Sequence, residues 1–140
     1  MSVATTAAAL TLSADEKATL RTAAYGAVSL LAAASGSPHK VATHGSISLY
    51  SGTGPIGYAL AEKSKIKDLS GKSVAELADK VFPALAEAVA LLEQKSPAEA
   101  DNFRAAVGVA LASGVHALKG GPTPGVTAML AKIEAALTAA

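Results

Sequence analysis

The chain contains no cysteine. That excludes a disulfide framework, a thiolate nucleophile, a redox dithiol and a cysteine-type zinc site. Charge is also scarce, at 16% of residues, and twelve Lys and Arg against eleven Asp and Glu leave a formal +1. So even a balance is far from that of a dedicated nucleic-acid binder, and no nucleic-acid partner is expected. Aromatic residues make up 4% of the chain. Long apolar helices are missing too: the longest nearly uncharged helical candidates, 22–35 and 105–118, span about 14 residues each, short of the roughly 20 that cross a bilayer. Residues 1–12 lack the basic start and long apolar run of a secretory signal, so the expected location is cytoplasmic.

The most local absence is that of acids. No Asp or Glu occurs between Glu16 and Glu62, and within that stretch residues 35–58 concentrate Gly, Ser, His and Tyr. The flanking segments are Ala-rich and read as helices. At 140 residues with 51% apolar content, the chain can bury one core. The expected organisation is a loosely ordered tail over 1–12 and a single helical domain over 13–140.

Three Ser-x-x-Glu spacings predict capped helix starts: Ser13 with Glu16, Ser73 with Glu76 and Ser96 with Glu99. Pro97 strengthens the third, and Thr123 before Pro124 offers a fourth start. Leu20, Ala24, Ala27 and Leu31 form an apolar face on the first helix, which residues 35–38 stop. From Val74, a stripe of Val74, Leu77, Val81, Leu85, Ala88 and Leu92 continues past Pro83. Because Pro83 falls on the opposite, polar face, a kinked helix is expected rather than two helices.

The helix expected over Pro97–Lys119 has no charge between Arg104 and Lys119. A helix apolar on all sides is either the centre of the bundle or one side of an interface. Gly120 and Gly121 end it, and Val126, Leu130, Ile133 and Leu137 stripe the last helix. The fold class is therefore all-α, a bundle of five to six helices with a Gly-rich loop in the middle. Residues 41–50 fit a helix or a strand; helix is preferred because a lone strand would have no partner.

Within the middle segment, Gly52, Gly54 and Gly57 match a G-x-G-x-x-G string. A dinucleotide site would also need a parallel sheet and an acid about 20 residues on, and neither is visible. A flexible loop leading into a short helix, Ile56 to Lys63, is the plainer reading. Its first amides could hold a small anion, with Lys63, Lys65, Lys67 and Lys72 just downstream. His39 and His44 are spaced wrongly for one helix face and have no carboxylate nearby, so no metal site is expected. No nucleophile elbow accompanies them, no catalytic residue can be named, and an enzyme is disfavoured. Tyr25, Tyr50 and Tyr58, with His44, could line a pocket for an apolar ligand; otherwise they pack with the phenol at the rim. Tyr25, His44, Tyr50, Gly52, Gly54, Gly57 and Tyr58 are thus the candidate ligand-binding residues, with no cofactor implied.

Ser96-Pro97-Ala98-Glu99-Ala100, then Phe103 and Arg104, Gly120-Gly121 and the closing Met129 to Leu137 resemble the C-terminal half of a group of small helical bacterial proteins of unassigned function. Leu12-Ser13-Ala14-Asp15-Glu16 is similar to the start of the same group, which is itself loosely similar to the TerB-type proteins of tellurite resistance. The resemblance implies a helical fold. It implies no metal site, because the acids that TerB-type proteins use have no counterpart in the acid-free stretch. The expected function is therefore non-enzymatic binding, to a second copy or to a protein partner. The motive is more apolar surface than one small core can hide, with the uncharged faces of the first helix and of the Pro97 helix as candidate interfaces.

Overall fold

The computed structural model describes residues 10–62 and 73–138. Among them are six helices: α1 (Ala14–Ala34), α2 (Pro38–Tyr50), α3 (Gly54–Ala61), α4 (Val74–Lys95), α5 (Pro97–His116) and α6 (Pro124–Thr138). No strand occurs among the described residues, and residues 41–50 are helical. The lysine-rich stretch from Lys63 to Lys72 lies outside the described residues, as do residues 1–9.

Two of the three expected capping boxes form. The Ser13 hydroxyl accepts from the Glu16 amide at 3.1 Å while the Ser13 amide donates to the Glu16 carboxylate at 2.8 Å. Ser73 and Glu76 repeat the exchange at 3.1 and 2.9 Å. The third does not form. Ser96 serves at once as C-cap of α4 and N-cap of α5, and its side chain makes no capping bond. Glu99 instead accepts from the Asn102 amide group at 3.1 Å. Proline supplies the other starts, since Pro38, Pro55, Pro97 and Pro124 each stand in a first turn, where the missing N–H leaves nothing unpaired. Pro83 sits at an exposed position of α4, which runs unbroken through it.

The central helix is α1, not α5. Both helices touch each of the other five, but α1 is the more deeply buried: Leu20 to Ala24, Gly26 to Val28 and Leu30 to Ala32 are all inside. The candidate interface on α1 is thus already covered by the protein itself. By contrast, α5 buries Ala100, Phe103, Val107, Ala110, Leu111 and Gly114, while His116 is exposed. Lack of charge on α5 marked an outer face as well as an inner one. Val74, expected in the α4 stripe, is 40% exposed, and Leu130 gives its core place in α6 to Met129.

Three helix crossings share one device. A Cβ at Gly26 of α1 would stand 2.6 Å from Val81 Cγ2 of α4; one at Gly45 of α2 would stand 2.6 Å from Val28 Cγ1 of α1; one at Gly114 of α5 would stand 2.9 Å from Val41 Cγ1 of α2. Each glycine receives a valine side chain, so helices poor in aromatic residues can still fill their core at native density. Of the segment expected to be a loose tail, Leu10 and Leu12 pack against this core, and the Thr11 carbonyl accepts from Lys95 at 2.9 Å.

Candidate functional site

The middle segment folds into α2, a short turn and α3. Three α1 side chains, each four residues from the next, hold the end of α3. The Tyr25 hydroxyl donates to the Leu60 carbonyl at 2.7 Å, Arg21 Nη1 donates to the Ala59 carbonyl at 3.3 Å, and Lys17 Nζ pairs with Glu62 at 2.7 Å. Carbonyls at a helix C-terminus have no partner within the helix, and cations are favoured there. Arg21 is only 4% exposed, with Glu62 3.8 Å from its Nη1. The hydrogen bond from Lys17 holds the Glu62 carboxyl below its ordinary pKa, with the charges of Lys17 and Arg21 adding to the effect. Burial raises the Tyr25 phenol, opposed by Arg21 and reinforced by Tyr50. Glu62, the first acid after the acid-free stretch, thus belongs to the latch that seats α3.

Tyr25 therefore has a structural use. His44 is exposed, as are Tyr50 at 52% and Tyr58 at 68%. The three glycines do come together. A Cβ at Gly57 would stand 2.5 Å from the Gly52 carbonyl carbon and 2.6 Å from its oxygen, so the first turn of α3 lies directly on the Gly52 backbone. Gly54 opens the helix with φ +80°. The G-x-G-x-x-G string is accounted for by this tight turn.

Between that turn and α5 runs a groove of about 390 Å³, with Gly52, Gly54 and Gly57 on one wall and Glu99, Asn102 and Val109 on the other. Tyr25, His44, Tyr50 and Tyr58 do not line it. Tyr58 borders a separate groove of about 300 Å³ with Leu10, Lys17 and Glu62. Glu99 supplies a carboxylate to a place that the local sequence leaves acid-free. Among the described residues no three of His, Asp and Glu gather as a metal ion requires, and no described helix is long and apolar enough to cross a membrane.

A second feature adjoins the groove. Ala105, Gly108, Val109 and Ala112 form the outer ridge of α5; all four are exposed, Val109 by 60%. A Cβ at Gly108 would meet nothing within 4 Å. Unlike Gly26, Gly45 and Gly114, this glycine serves no crossing within the chain. On the ridge's other side a groove of about 340 Å³ separates α5 from α6, bordered by Gly108, Ala112, His116, Leu130 and Glu134. The contributions of α5, namely Glu99, Asn102 and the ridge, were not among the candidate site residues. The uncharged interval from Arg104 to Lys119 was the one signal for the ridge, and Glu99 and Asn102, which lie before it, had none.

These features define an all-α six-helix bundle with an open apolar ridge. No family model matches the chain, and comparison with curated proteins and with solved structures finds no match either.

Proposed function

We propose that this protein is a non-enzymatic interaction protein, which works by binding a second copy of itself or another protein through the outer face of α5. One observation carries the reading: the ridge from Ala105 to Ala112 is uncharged and exposed, with Val109 60% accessible and a groove along each side. An exposed apolar face rimmed by polar residues is the usual mark of a protein contact. The polar rim here is Asp101, Asn102, His116 and Lys119, all exposed. Sedimentation velocity over a concentration series tests self-association: the sedimentation coefficient is expected to rise with concentration. An unchanging monomer value would remove self-association and leave only a different protein as partner.

A second reading is favoured by the groove at Gly52, Gly54 and Gly57. It is a small-molecule site, suited to a compact ligand with an apolar body and a hydrogen-bond donor for Glu99. An anion fits less well, because the α3 amides share the groove with that carboxylate. Thermal melting with and without phosphate separates the two ligand classes: a salt-sensitive rise in melting temperature with phosphate would restore the anion. The cytoplasmic location and the TerB-like relationship belong to the same proposal. Their support is the absence of cysteine and the residues shared from Ser96 to Arg104.

A further inference from the structure

We propose that the occupant of the α5 ridge is a second copy of this chain, with the two α5 helices antiparallel about a two-fold axis at Val109. This rests on the interaction reading above and adds to it a partner, an orientation and a register.

Among the exposed positions of α5, which also include Pro97, Asp101 and Gly108, one stripe runs Ala98, Asn102, Ala105, Val109, Ala112 and His116. Their spacing alternates four and three, an average of about 3.5 residues, which is the repeat that keeps one stripe against a partner helix. The buried positions Ala100, Phe103, Val107, Ala110 and Gly114 occupy the opposite side. So α5 carries two seams, and the fold uses one.

The outer seam reads alike in both directions. Laid antiparallel on its own copy, Val109 meets Val109 on the axis, Ala105 comes within one residue of register with Ala112 on each side, and Asn102 meets His116 beyond them. Such reciprocity is what a two-fold interface demands, since whatever residue i touches must touch residue i in return. Charge selects the same orientation. Glu99 lies near the start of α5 and Lys119 just beyond its end; Asp101 is already paired with Arg104 at 2.9 Å within the chain, and no charge lies along the ridge between. Antiparallel pairing places the acidic end of one copy beside the basic end of the other and opposes the helix dipoles; parallel pairing would set like against like.

Small side chains set the approach. Ala105, Gly108 and Ala112 keep the ridge low beside Val109, which suits interaxial distances near the short end of the roughly 8–10 Å range. Gly108 then gains a purpose, because it leaves room for the partner's Val109 where the monomer leaves open space. The seam is one helix wide, so the dimer is expected to be concentration-dependent rather than permanent.

The absence of native cysteine makes the test direct. Val109→Cys should form a disulfide dimer under mild oxidation much faster than Ala90→Cys, a control on an exposed position of α4. Ala105→Cys paired with Ala112→Cys in a mixture should cross-link faster than either variant alone. Val109→Arg should weaken self-association by at least about ten-fold, with an unchanged melting temperature at concentrations where the wild type is monomeric. If Ala105→Cys alone cross-links as fast as the mixture, the pairing is parallel and the proposal falls. If the wild type dimerises but Val109→Cys cross-links no faster than Ala90→Cys, the seam is wrong while the interaction reading stands. If the wild type is monomeric at every concentration, the proposal falls together with self-association.

Discussion

Gly26 and Val81 offer a sharp test of how this bundle is packed. A methyl added at Gly26 would stand 2.6 Å from Val81 Cγ2 and 3.2 Å from its Cγ1, and Val81 is fully buried. A β-branched side chain in a helix has one strongly preferred rotamer, so Val81 cannot turn away and α4 must shift. The overpacking costs about 1–3 kcal/mol, offset by about 0.5–1 kcal/mol of helix propensity gained when glycine becomes alanine. Gly26→Ala should therefore destabilise by about 1–2 kcal/mol. Val81→Ala deletes two buried methyl groups, at about 0.8 kcal/mol each, with a cavity contribution in addition. Combined, the new methyl at residue 26 occupies space that Val81 has vacated. The double variant should then be about as stable as Val81→Ala alone or better, with a coupling of about 1–2 kcal/mol within the range seen for contacting residues. Urea denaturation followed by far-ultraviolet circular dichroism measures all four proteins. Strict additivity would show that Gly26 does not receive Val81 and would refute the close crossing of α1 and α4.

Other substitutions probe the latch and the turn. Gly57→Ala should destabilise by about 1–3 kcal/mol because the clash is with the Gly52 backbone, whereas Gly108→Ala should stabilise the monomer by about 0.5–1 kcal/mol because its Cβ meets nothing within the chain; equal effects in urea melts of dilute, monomeric protein would contradict both. Tyr25→Phe removes the bond to the Leu60 carbonyl and should cost about 0.5–1.5 kcal/mol by the same assay. Glu62 and Glu16 both titrate below their ordinary value in the folded chain, Glu16 chiefly through its bond from the Ser13 amide, so the unfolded state binds more protons as pH drops through the carboxylate range. The stability they contribute is complete above the unfolded pKa and is lost as pH falls through the folded one. Melting temperature against pH should therefore decline less steeply on the acid side in Glu62→Gln than in the wild type, and parallel profiles would argue against the ion pair with Lys17.

What the chain discloses about its fold depends on whether a feature is local. Ser13 with Glu16 and Ser73 with Glu76 are complete within four residues, and both caps form as the spacing predicts. Ser96 with Glu99 has the same spacing, yet its cap depends on the helix before it: Ser96 closes α4 while opening α5, and the side-chain bond is lost. The glycine and valine pairings are invisible in the sequence because Gly26 and Val81, or Gly114 and Val41, meet only after the helices have packed. The alternative left open for α5, bundle centre or interface, has a related cause. An uncharged helix signals contact with something apolar, but cannot say whether that lies inside the chain or outside it. Residues 35–58 did stand out by composition, and their glycines do line a groove. Its other wall comes from α5, where Glu99, Asn102 and Val109 carry no mark that links them to the turn around Gly54.

The outer ridge of α5 is the centre of the functional account, and sedimentation equilibrium of the wild type beside Val109→Arg tests it most directly. The account predicts a concentration-dependent monomer to dimer equilibrium in the wild type and a monomer in the variant, with both melting at the same temperature at concentrations where the wild type is monomeric, because Val109 is 60% exposed and makes little of the core. An equal apparent mass for the two proteins across the series would contradict it.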